Sequence, residues 1–98
     1  MENTDKLLKE FIEEFHIPPF EKEERLMVLI NEADQYLKSL VENTDYDSDM
    51  VARGLLKYRA YYSYCSRRNE FFIDYGNSII EWQFSRLKGS DENVDTSI

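Results

Sequence analysis

Apolar residues along this chain recur at spacings of three and four, the rhythm of helices that bury one face. Leu7, Leu8, Phe11, Ile12 and Phe15 set the first stripe and predict a short helix over residues 4–15. Pro18 and Pro19 stop it. Neither can donate a backbone hydrogen bond, and Pro18 pushes Ile17 out of helical geometry. A second helix is predicted from Phe20 to Glu42, with Leu26, Ile30, Ala33, Leu37 and Leu40 on its stripe and Leu29 and Val41 widening it. Glu21, Glu23 and Glu24 crowd its first turn, where the positive end of the helix dipole favours acids.

Residues 43–49, NTDYDSD, form a loop that offers Asp47 and Ser48 as N-caps. A third helix is predicted from near Asp49. Val51, Leu55, Tyr58, Tyr62 and Cys65 keep the rhythm, and Phe72 lies one heptad beyond Cys65. With no breaker before Asp74 it extends for about 25 residues as one long central helix. Tyr75-Gly76-Asn77 is its first stop, with Gly76 suited to a left-handed cap. Ser78 and Glu81 have capping-box spacing and launch a last helix to about Lys88, carrying Ile79, Ile80, Trp82, Phe84 and Leu87. Gly89 ends it, and residues 90–98 read as a flexible acidic tail. The expectation is all-α: one domain over 1–89, a small bundle of about four helices. Its predicted core holds Leu26, Leu29, Ile30, Ala33, Leu37, Leu55, Tyr58, Tyr62 and Phe72.

Composition narrows this picture. Ninety-eight residues suit a single core, and only three glycines and two prolines argue against a turn-rich β-sandwich. A lone cysteine, Cys65, excludes an intrachain disulfide framework and fits a reducing compartment. The N-terminus lacks the basic-then-apolar order of a signal peptide. The longest apolar run, Leu26 to Ile30, is far too short to span a membrane. An intracellular chain with no membrane partner is expected.

A formal charge of −8 disfavours nonspecific attraction to nucleic acid or anionic lipid. The charge is unevenly placed. Residues 1–50 carry 14 acids against 5 bases, whereas 51–98 carry 6 against 7. Such asymmetry reflects either two helices matched inside the chain or two unlike faces offered to neighbours.

Candidate chemistry is sparse. His16 is the only histidine, and Cys65 sits mid-stripe, where a cysteine acts as a small hydrophobe. The three glycines are isolated, so no phosphate-cradling loop exists. Asp45-Tyr46-Asp47-Ser48-Asp49 opens like a calcium loop, but Met50 and Leu56 stand where glycine and glutamate are required. No enzyme activity, metal or cofactor is expected.

The distinctive segment is basic and aromatic. Arg53, Lys57, Arg59, Arg67 and Arg68 alternate with Tyr58, Tyr61, Tyr62 and Tyr64, and no acid intervenes from Val51 to Arg68. Aromatics stepping about 100° per residue cover much of a helix's circumference. Either the other helices wrap this one, or another subunit completes its surface. Arg53, Lys57, Arg59, Tyr61, Tyr64, Arg67 and Arg68 are accordingly the candidate inter-subunit interface. Stacking on single-stranded DNA is the competing use of such residues.

The segment RGLLKYRAYYSYCSRRNEFFIDYGNSIIEWQFSRLKG, Arg53 to Gly89, is similar to the C-terminal half of small head–tail connector proteins of tailed bacteriophages, also called head-completion or adaptor proteins. An arginine-glycine start, a run of Tyr and Arg, Asn69 to Phe72, and a short apolar helix carry the likeness. The acidic turn at Glu21 to Glu24, followed by an apolar helix and a polar loop, extends it to about residues 5–89. The resemblance implies a helical, non-enzymatic protein of the virion neck, assembled in the host cytoplasm. It implies a homo-oligomeric ring beneath the portal protein that extends the DNA channel. DNA would pass through without sequence-specific binding, and the next tail-proximal protein would dock below. A small phage-encoded regulatory or DNA-associated module is the alternative. For a chain of this charge, weak association at low salt is expected.

Overall fold

The computed structural model describes residues 4–90. Four helices follow one another, α1 (Thr4–Glu14), α2 (Glu23–Leu40), α3 (Met50–Tyr64) and α4 (Arg68–Ser90), and no strand occurs among the described residues. The all-α expectation holds. The tail expectation over 91–98 lies outside the described residues, and Ser90 still belongs to α4. The α2 helix packs on α3, α3 on α4, and α1 lies against both α2 and α3.

The ends of α1 and α3 share one device. His16 and Ser66 adopt left-handed backbone angles, φ 53° and 60°. The next residue's N–H then reaches five residues back, from Ile17 to the Ile12 carbonyl at 3.0 Å and from Arg67 to the Tyr62 carbonyl at 2.7 Å. These bonds satisfy carbonyls that a helix end would leave unpaired. Ile17 is buried by the turn, which anchors the chain before the prolines.

Ser66 corrects the long third helix. The chain stops at Tyr64, reverses through Cys65-Ser66-Arg67, and α4 then runs straight through Gly76 and the Ser78–Glu81 box. No glycine or proline signals this break. Packing decides it: folding back lets Phe71, Ile79 and Trp82 join the core, which an unbroken rod would leave in water. A non-glycine residue held left-handed costs about 1 kcal/mol. Ser66→Gly is therefore expected to raise stability by about 0.5–1 kcal/mol, read as a higher urea midpoint at unchanged slope.

Other boundaries move less. α2 starts three residues after the expected Phe20 and ends two before Glu42. The cap of α3 is Asp49 rather than Asp47 or Ser48, its carboxylate accepting from the Ala52 N–H at 3.1 Å.

The core matches expectation on α2, where Leu26, Ile30, Ala33 and Leu37 are all buried and Leu29 is half-buried. On α3 the buried apolar positions are Ala52, Leu55, Leu56 and Ala60, so the stripe is rotated from the expected one. Val51 is exposed, and Tyr58, Tyr62 and Cys65 are half-buried. On α4 the buried rings are Phe71 and Trp82, and Phe72 is 41% exposed. The small side chains Ala52 and Ala60 allow close packing on α3, and the bulky tyrosines are displaced to the flanks.

Candidate assembly surface

The basic residues singled out from the sequence are mostly used inside the chain. Arg53 is buried and its guanidinium is fully engaged. It donates through Nε to Glu10 Oε1 at 2.9 Å, through Nη2 to Glu10 Oε2, and through Nη1 to the Tyr46 carbonyl at 2.8 Å. Lys57 donates to Glu10 Oε1 at 3.3 Å and to Glu14 Oε1 at 2.7 Å. Glu10 receives two cations at once. The Arg53 hydrogen bond above all, with Lys57 behind it, holds its carboxyl down at about 2.

Arg59 is buried between α2, α3 and α4. Its guanidinium carbon lies 4.9 Å from the Tyr36 ring centroid and 5.7 Å from that of Phe72, and Nη1 donates to Ser63 Oγ at 2.7 Å. Its Nε has no partner. Burial, and then nearby Arg68, pull the Arg59 pKa below its usual value. The aromatic faces of Tyr36, Phe71 and Phe72 surround the charge at cation–π distance and offset desolvation.

Of the candidate interface, Arg53, Lys57 and Arg59 have charges that already find partners or an aromatic cage within the chain. Tyr61 and Tyr64 are half-buried; Tyr61 stacks on Phe15 with ring centroids 4.2 Å apart and planes 7° off parallel. Tyr64 stacks on Tyr61 and carries Arg25 at 5.8 Å. Only Arg67 and Arg68 of the candidate set are exposed. Arg67 forks onto Glu70 at 2.8 and 2.6 Å, and Arg68 reaches Glu32 at 3.2 Å. The acidic first half thus meets the basic second half within one molecule.

The aromatics are spread over two helices and form an internal seam. Tyr58 stacks on Tyr75 at 5.2 Å, Phe71 stacks on Tyr75 at 5.3 Å, and Tyr62 sets its edge to both Phe71 and Tyr75. The Tyr62 hydroxyl donates to Asp74 Oδ2 at 2.7 Å, a bond that pushes its pKa up to about 12.

A polar network closes the α2–α3 loop over the core. The Tyr46 hydroxyl donates to Asp34 Oδ1 at 2.7 Å, and burial followed by this bond raises its pKa. Asp49 caps α3 with Oδ1, while Oδ2 accepts from Trp82 Nε1 at 2.9 Å and pairs with Arg86 at 3.2 Å. Of the acids that resembled a calcium loop, Asp49 is taken up by these bonds, Asp45 accepts from the Asp47 N–H at 3.0 Å and the Ser48 hydroxyl at 3.1 Å, and Asp47 pairs with Arg53 at 3.5 Å. Among the described residues no group of three or more His, Cys, Asp or Glu side chains is placed to hold a metal ion. His16 is exposed at its turn, and Cys65 is a half-buried free thiol. No helix among the described residues is long and apolar enough to cross a membrane.

The feature missed from the sequence is on α4. Phe71, Tyr75, Ile79 and Trp82 face the bundle, while Ile73, Ile80, Phe84 and Leu87 lie on the opposite side, 51–79% exposed. Helical geometry places those four within one narrow sector. The signal was present as apolar residues too numerous for one stripe. A helix apolar on two faces expects partners on both.

No protein-family model, curated protein or solved structure matches this chain.

Proposed function

We propose that this chain is a non-enzymatic structural protein that works by assembling with other protein subunits, and that its setting is the neck of a tailed bacteriophage. There it forms a ring beneath the portal, extends the DNA channel and receives the next tail-proximal protein. The outward apolar stripe of α4 supports assembly, because apolar surface of this continuity on a helix favours a protein partner over water. The likeness of Arg53 to Gly89 to head–tail connectors supports the particular setting. The DNA-associated alternative loses its main support, since Arg53, Lys57 and Arg59 are spent on Glu10, Glu14 and an aromatic cage.

The test is cryo-electron microscopy of purified particles from the phage that encodes the chain. A ring of copies at the portal vertex is the expected result. Particles complete with tails but lacking this chain would overturn the neck setting, and tight binding of duplex DNA at physiological salt would overturn the assembly reading itself.

A further inference from the structure

The exposed stripe of α4 has an internal symmetry that indicates what covers it. Ile73, Gly76, Ile80, Phe84 and Leu87 are spaced three, four, four and three, so the pattern is the same read from either end about Ile80. Laid antiparallel on itself, the stripe sets Ile80 against Ile80, Ile73 against Leu87, and the bulky Phe84 over Gly76.

Gly76 is the second observation. It lies in the interior of a 23-residue helix, where glycine weakens the helix relative to alanine. No positive φ requires it, and a Cβ built there meets nothing within 4 Å. The fold of one chain therefore gives no reason for a glycine. A ring from a second copy seated over it does.

We infer that α4 pairs with α4 of a second copy across a two-fold axis at Ile80, Phe84 of each packing into the gap at Gly76 of the other. The contact is isologous and closes at two chains, so it covers the stripe in the free chain and must open before the same stripe can serve a ring. With Phe72 at its edge the stripe offers on the order of 500 Å² of apolar surface, less than the roughly 800 Å² per partner of a standard stable interface. Asp74 and Glu81 are exposed along one flank, which meets its own copy across the axis, while Glu70 beside them is already paired with Arg67. The dimer is accordingly weak at low salt and tightens as salt screens that rim. This pairing is a property of the free chain and does not rest on the neck setting; failure to find the chain in virions leaves it standing.

Sedimentation of the full chain over a range of concentrations, at low and high salt, tests it together with two variants. The wild type should show a monomer–dimer equilibrium that shifts to dimer with salt, and Ile80→Glu should be monomeric with unchanged helicity. Gly76→Ala should move two readings in opposite directions. It should raise the urea midpoint of the dilute monomer and weaken the dimer by about tenfold, because a methyl group overpacks the Phe84 contact. A wild type that stays monomeric throughout or grows past two chains would overturn the inference. So would a Gly76→Ala variant that dimerises as tightly as the wild type.

Discussion

Glu10→Ala should destabilise the fold by about 3 kcal/mol, because it leaves the buried Arg53 guanidinium without its bidentate partner. Removing both members should cost less than removing either. In Glu10→Leu/Arg53→Met no buried charge is left unpaired, since Lys57 keeps Glu14 and Asp47 faces water, so a double-mutant cycle in urea should show strong coupling between positions 43 residues apart. The same pair gives the protein an acid limb. The folded carboxyl titrates near 2 and the unfolded one near 4.5. The pair's contribution is therefore whole above about pH 4.5 and is lost as pH falls toward 2. Glu10→Gln should flatten that limb. A wild-type slope in Glu10→Gln would show that other carboxylates govern the acid transition.

Phe71→Ala should cost about 3–5 kcal/mol, whereas Phe72→Ala should cost about 1 kcal/mol. Phe71 is fully buried, stacks on Tyr75 and forms T-shaped pairs with Tyr62 and Phe72. Phe72 is half outside, closing over Arg59 and Tyr36. The neighbouring residues are chemically identical, so the contrast isolates the rotation of α4. Equal losses for the two would mean that the helix sits about 100° from its described orientation.

How far the sequence carried depended on whether one helix or several decided a residue's fate. The α2 stripe was legible because Leu26, Ile30, Ala33 and Leu37 obey one period on one buried face. The Ser66 turn was not, because serine has no intrinsic preference for left-handed backbone, and the pull comes from distant partners such as Trp82 and Asp49. Phase on α3 was lost for a related reason. Its buried side includes Ala52 and Ala60, which hardly register as hydrophobic, while tyrosines on its flanks do. Charge misled most. Arg53 and Arg59 lie at interior positions, and only Glu10 across the bundle or the Tyr36–Phe72 cage makes that tolerable. The assembly surface expected from the sequence centres on α3, while the uncovered apolar face lies on α4, where Ile79, Ile80, Trp82, Phe84 and Leu87 read in the sequence as one undivided apolar set.

Trp82, the only tryptophan, donates its indole N–H to the carboxylate that caps α3. This places the chain's single strong fluorophore at the joint between its last two helices. Its emission reports whether α4 is seated, and far-ultraviolet dichroism reports whether the helices exist. Coincident urea transitions by the two signals would identify one cooperative unit. A shift in tryptophan emission ahead of the loss of helicity would show α4 lifting from an otherwise intact bundle, with the aromatic seam on α3 laid open to solvent.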